Sequence, residues 1–355
     1  MASGRVIFWT TASLEPQYEA VSKEVYALAR HFPGSMICSI SPHCSIRLLR
    51  DPPAIGLHPS FDLPLRALVP FAERCIAVNH VYAEFAPWTY VRTLRRKPTV
   101  LTIASEKGAP DEGFLQRVNA IAVQTVGMYE RLARQPIWGN KVSLVFPGVD
   151  IRRFRKRERR VGTGPTGPRI LFATFPRSRD EFEERGVNFL IEAARRLPWL
   201  QLTLIGRPWL SGDTASEALR GRLDLERPTN IDFVTAGVLD MAEVHASHDF
   251  VVVPYKSPGG GKECPLSMVE AMASGLPVLI SEAAPFAGYV SSHRCGEVFE
   301  FGVEAFGDAV RRGMDRYSAS SSNARERAEV DFDEETTFRR YETLYANAVV
   351  QRRRR

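Results

Sequence analysis

The residues of this 355-residue chain best suited to chemistry lie at 251–280, VVVPYKSPGGGKECPLSMVEAMASGLPVLI. An apolar strand over 250–253 breaks at Pro254 into a loop that holds Gly259, Gly260 and Gly261. A helix is predicted from Pro265 to Ser274, because Pro suits a first helical turn and Gly275 a left-handed cap at the far end. Pro277 follows, and a second strand starts at Val278. Such a helix start collects unpaired N–H groups and a partial positive charge, which together can hold phosphate oxygens. Lys262 adds a full charge there. Glu270 falls one to two turns into the helix, where its carboxylate can accept hydrogen bonds from a vicinal diol such as a ribose.

The run PLSMVEAMASGLPV resembles the donor-site signature of retaining glycosyltransferases of family 4. The resemblance implies a GT-B fold: an α/β chain of two Rossmann-like, doubly wound domains facing a cleft, with the C-terminal helix returning to the first domain. It further implies that Glu270 holds the ribose of a nucleotide-sugar. A second signature lies over a hundred residues earlier, in AIAVQTVGMYERL and KVSLVFPGVDIRRF. Gly148, Val149, Asp150 and Phe154 occupy the places of the Gly-Val-Asp turn and the following Phe that close the family's N-terminal domain. The resemblance covers nearly all of residues 98–350 and is weak over 1–97.

From the same resemblance come the remaining site residues. The segment ATFPRSRDEFEERGVNFLIEA carries Arg185-Gly186 where the family has Lys-Gly, so Arg185 is expected on the diphosphate, with Arg177 or Arg179 as the second cation. An Arg can grip phosphate through two N–H groups at once. Gly261 and the backbone N–H groups of Cys264 and Leu266 would face the phosphates, and Gly206 and Arg207 would flank the base. The family's Glu eight residues before the ribose Glu reads Lys262 here, with Glu263 one place off; both are sugar-contact candidates. The family's Thr-x-His reads Thr102-Ile103-Ala104, which leaves His80 as the candidate imidazole. The first strand–helix turn, Thr10-Thr11-Ala12-Ser13, lacks the family's paired glycines. Transfer with retention needs no protein nucleophile if the leaving diphosphate assists the incoming hydroxyl, and neither a metal nor another cofactor is expected.

The elements that must position these residues alternate strand and helix, the pattern of a doubly wound sheet. Strands are expected at 6–9, 35–40, 74–78, 98–103, 120–124 and 142–145, then at 170–174, 202–205, 231–234, 250–253, 278–280 and 297–299. Helices are expected at 17–31, 126–135, 187–197, 239–246, 265–274, 305–316 and 333–350. Residues 45–72 are rich in Pro and Leu and carry no clear period, and SASSSNARERA reads as a polar connection. The expected organisation is an acceptor-side domain over 1–160, a linker over 161–169, a nucleotide-sugar domain over 170–330, and a crossing helix with a basic tail over 331–355.

Composition restricts the alternatives. An apolar fraction of 44% and a charged fraction of 25% are those of a globular protein. No run of apolar residues reaches the length of a membrane span, and the N-terminal stretch shows no signal-peptide core. The five cysteines are odd in number and scattered, as in a reducing compartment, so a cytoplasmic place is expected. His245 and His248 lack a third metal ligand in the pattern and read as surface or core residues. The net charge of +6 gathers at Arg92–Lys97, at RRFRKRERR and in the C-terminal arginines. Such runs attract anionic surfaces; a peripheral contact with an anionic membrane suits a lipid-linked acceptor. No nucleic-acid motif accompanies them. The expected partners are thus a UDP- or GDP-sugar donor and a glycan, lipid-linked or small-molecule acceptor. A catalytically silent GT-B protein is the alternative.

Overall fold

The computed structural model describes residues 5–17, 19–41, 46–84, 89–105, 111–156, 167–176, 178–206, 214–226, 228–235 and 240–353. The chain forms two compact units, Met1–Gly148 with Glu335–Arg355, and Val149–Glu334.

Among the described residues the first unit is built on eight strands: β1 (Val6–Thr10), β2 (Met36–Ile40), β3 (Arg47–Arg50), β4 (Pro53–Leu57), β5 (Val78–Glu84), β6 (Thr99–Ser105), β7 (Ala120–Val123) and β8 (Val142–Leu144). Their order is β3-β4-β2-β1-β5-β6-β7-β8, and all pairs are parallel except β3/β4 at the edge. A parallel sheet is covered on both faces, so β1 is buried throughout and apolar from Val6 to Trp9. Val6 and Phe8 join one core cluster and Ile7 and Trp9 the other, as the period of two requires. The helices Ala20–His31 and Glu334–Arg353 fill the first of these faces with Val25, Leu28, Phe338, Tyr341, Leu344 and Tyr345. The last helix therefore returns to the first unit, as the resemblance implied.

Two expectations for this unit change. The third strand runs over Val78–Glu84, not 74–78, because Glu73–Cys75 forms one turn of 3-10 helix after the helix Asp62–Ala72. The Glu73 carboxylate is buried and accepts the backbone N–H groups of Arg96 and Lys97, each at 3.1 Å, and the amide of Asn79 at 2.7 Å. The unassigned stretch 45–72 supplies the β3/β4 hairpin and that helix, whose Leu65 and Val69 reach the core one turn apart.

The second unit carries β9 (Arg169–Phe172), β10 (Gln201–Ile205), β11 (Ile231–Val234), β12 (Phe250–Val253), β13 (Val278–Ser281) and β14 (Gly296–Phe299), all parallel, in the order β11-β10-β9-β12-β13-β14. The expected polar connection is the helix Tyr317–Asp331. Its buried face is made of Ser320, Ser321, Ala324 and Ala328, small enough to lie close against the helix Leu266–Ala273.

The division of the chain also differs from expectation. It falls after Gly148, ahead of residues 161–169. Val149 donates to Phe332 O at 2.8 Å, Glu334 donates to Val149 O at 3.1 Å, and the Arg325 guanidinium donates to the carbonyls of Ile151, Phe154 and Ala273. These bonds tie 149–154 to the second unit. Residues 161–166 of the expected linker lie outside the described residues. Among the described residues no helix is long and apolar enough to cross a membrane.

Candidate active site

From β9 the chain steps outward to β10 and β11, then returns to place β12 on the other side of β9. The carboxyl ends of β9 and β12 thus flank the point where strand order reverses, the place where open α/β sheets bind ligands. The segments that leave these two strands meet there. Lys256 donates its backbone N–H to Glu184 O at 2.9 Å and its ammonium to Glu183 Oε1 at 2.6 Å; Ser257 Oγ donates to the Glu184 carboxylate. Lys256 holds the exposed Glu183 carboxyl below its ordinary range. Gly186 fits this junction because φ is +77° and a Cβ would lie 2.1 Å from Pro254 O. The glycine run is explained in part by packing. A Cβ on Gly260 would meet Glu184 O at 2.5 Å, and one on Gly261 would meet the Tyr255 ring at 2.4 Å.

The helix Leu266–Ala273 follows, with Pro265 as its N-cap and every residue buried. Met268 and Val269 donate to Pro265 O at 3.0 and 3.2 Å. The N–H groups of Leu266 and Ser267 precede any intrahelical acceptor, as the first amides of a helix must. Glu270 lies one turn further in, at 4% exposure. Its Oε2 sits 3.8 Å from Nε2 of His245. That histidine is wholly buried on the helix Met241–Ala246, edge-on to the Phe154 ring at 5.9 Å, and neither ring nitrogen has a hydrogen-bond partner among the described residues. The burial fits the core reading of His245, and the approach of its imidazole to the Glu270 carboxylate is a contact that sequence spacing does not record. His248, by contrast, is satisfied at Nδ1 by Val244 O at 2.7 Å.

Arg185 reaches over the end of β9: Nε donates to Glu181 Oε2 at 2.9 Å and Nη1 to Thr174 O at 3.2 Å. The structure therefore brings Arg185, Lys262, Glu263, Cys264, Leu266 and Glu270 into the segments that follow β9 and β12. Cys264 and Leu266 bury their side chains, leaving only backbone for a ligand, and Glu263 is buried at 8% exposure. Arg179 is exposed in the turn Arg179–Glu181. Gly206 ends β10, where a Cβ would strike Ser216 Oγ at 2.7 Å and Phe233 at 2.9 Å; packing accounts for this glycine. Arg177 and Arg207 lie outside the described residues.

His80 does not belong with these groups. It sits inside β5, paired with Phe8 of β1 and Val100 of β6, at 0% exposure. Nδ1 is 2.6 Å from the Tyr345 hydroxyl and Nε2 is 2.7 Å from Thr102 Oγ1. Burial lowers its pKa to about 3. With both nitrogens engaged and no surface, His80 is a core histidine that ties the last helix to the sheet, not a group presented to a sugar.

Residues 168–316, spanning β9 to β14, match the family model for glycosyl transferases, group 1. The Anabaena protein HepE, solved in complex with UDP, superposes with a TM-score of 0.71 at 15% identity over 96% of this chain and 100% of its own. Sucrose-phosphate synthase from Thermosynechococcus elongatus gives 0.72 at 17% identity over 98% and 100%. The fold is GT-B. A curated relative, the D-inositol 3-phosphate glycosyltransferase of Mycobacteroides abscessus, is 26% identical over 190 residues, 52% of this chain and 41% of that protein's length. The family match is confined to residues 168–316, and the likeness to the solved structures shows the fold alone.

Proposed function

We propose that the protein is a retaining glycosyltransferase of family 4 that moves a sugar from a UDP- or GDP-linked donor to a glycan, lipid-linked or small-molecule acceptor. The reading rests on the placement, in the segments that leave β9 and β12, of an arginine, an amide-bearing helix start and a buried carboxylate one turn into the helix. In this proposal the diphosphate lies against the N–H groups of Cys264, Leu266 and Ser267 and beside Arg185, with Arg177 or Arg179 as a second cation. Charge on the leaving diphosphate grows as the glycosidic bond breaks, so donors fixed in advance stabilise the transition state more than the ground state. The ribose diol donates to Glu270, which His245 backs from the far side. Lys262 or Glu263 contacts the sugar. The leaving phosphate assists the incoming hydroxyl on the same face, with no metal and no protein nucleophile. UDP in HepE and UDP-glucose in a second complex of that protein support a uridine donor. A fold relative involved in lipopolysaccharide biosynthesis supports an acceptor tied to lipid.

The burial of His80 favours one second reading, a catalytically silent GT-B protein that binds nucleotide or glycan as a subunit or regulator. Without that imidazole, and with Lys262 where the family carries Glu, nucleotide binding survives more readily than turnover. A thermal-shift screen of UDP, GDP and ADP with parallel donor-hydrolysis assays separates the two. A nucleotide-dependent rise that Glu270→Ala and Arg185→Ala both abolish supports the donor site, and turnover decides for the enzyme. Unchanged shifts in both variants refute the site.

A further inference from the structure

We propose that the helix Asp62–Ala72 and the cations at its C-terminal end form a docking surface for an anionic phospholipid bilayer. The helix is held to its unit by Leu65 and Val69, which are buried. Its outer side has an unusual composition. At roughly 100° per residue, Leu63, Pro64, Ala67, Leu68 and Phe71 fall within an arc of about 140°. All five are exposed, with Leu63 at 69%, Leu68 at 57% and Phe71 at 62%. A surface helix facing water carries polar residues on that side. Here the polar residues Asp62 and Arg66 lie off the arc and bond each other at 3.0 Å.

The cations converge on the end of this helix. The Arg74 guanidinium lies 5.3 Å from the Phe71 ring centroid. The buried Glu73 carboxylate, directly after the helix, holds the backbone of Arg96 and Lys97 and so fixes the basic turn 95–97 beside it. Arg95 and Arg96 are exposed. Arg352 donates to Arg95 O, which brings a cation of the last helix to the same place. Cations that stand far apart in sequence thus meet at one apolar helix.

An apolar helix face with cations beside it matches a bilayer interface, where the side chains enter the acyl boundary and the cations meet acidic headgroups. A second copy of the chain fits less well, since a self-complementary contact sets this cationic group against itself. The surface stands on exposure and charge in the first unit and is independent of the donor site.

The test is co-sedimentation of the full chain with vesicles of phosphatidylcholine alone or mixed with phosphatidylglycerol, with no nucleotide present. The chain is expected to bind the mixed vesicles and to leave them at high salt, since screening removes the headgroup attraction. Leu68→Gln/Phe71→Gln should weaken binding roughly tenfold or more through lost apolar burial. Arg95→Gln/Arg96→Gln should weaken it more than tenfold, at about fivefold per cation near an anionic surface. Both variants should keep the wild-type melting temperature and UDP response. Equal binding to both vesicle types, or variants that bind like wild type, overturns the proposal. So does a lipid-free dimer, seen by analytical ultracentrifugation, that Leu68→Gln/Phe71→Gln dissolves.

Discussion

Acidification should distinguish a core histidine from a site histidine at position 80. In the folded chain burial lowers the His80 pKa from 6.5 to about 3. In the unfolded chain the ring protonates at its ordinary value. Below pH 6.5 the unfolded state therefore binds a proton that the folded state refuses, so stability falls as pH drops from 6.5 towards the folded value. Each unit of pH in that window is about 1.4 kcal/mol, so pH 5 removes about 2 kcal/mol relative to pH 7. That magnitude follows from the unfolded pKa and barely depends on the folded one. The assay is amide exchange across β5 and the last helix at both pH values, corrected for intrinsic rates, in wild type and His80→Gln. Wild-type protection should fall about 30-fold more than that of the variant, the equivalent of that energy. The variant should also be less protected at pH 7, since Thr102 and Tyr345 lose their partner. An identical pH response in the two proteins means that the ring titrates normally, and the core assignment is then refuted.

Gly186→Ala should destabilise the second unit by about 3 kcal/mol, combining a left-handed non-glycine backbone with displacement of Pro254. Calorimetry should show the lower melting temperature and titration should show lost nucleotide affinity; a neutral result contradicts the described junction. His245→Phe should weaken UDP about tenfold, as expected if nucleotide binding draws the imidazole, 3.8 Å from Glu270 in the free chain, into a hydrogen bond that positions the carboxylate, yet leave 2′,3′-dideoxy-UDP unchanged. Equal losses for both ligands would make His245 a packing residue only.

Much of the fold was legible because parallel strands are buried on both faces and read as apolar runs, as in FVVV of β12 and VLIS of β13. The helix from Leu266 was legible because Pro265 and Gly275 mark its ends, and Gly275 does adopt φ +77°. The helix Tyr317–Asp331 was not, because its buried face is Ser and Ala and leaves no apolar period to count. The helix Asp62–Ala72 failed the same test for the opposite reason: it is apolar on nearly every side. The error over His80 followed from starting its strand at residue 74. That register puts the ring beyond the strand end, whereas β5 runs over Val78–Glu84 and turns it into the core. The helix position of Glu270 was legible, one turn in from Leu266. Its neighbour His245 was not, because a different helix brings the imidazole to it and no local spacing records that approach.

A crystal structure of the protein grown with UDP will show whether a nucleoside diphosphate occupies the reversal point between β9 and β12. Phosphate oxygens are expected at the N–H groups of Leu266 and Ser267, Arg185 on the diphosphate, and the ribose hydroxyls on Glu270 with His245 drawn to within hydrogen-bond reach. UDP bound elsewhere on the chain, with Glu270 touching no part of it, would rule out a donor site there.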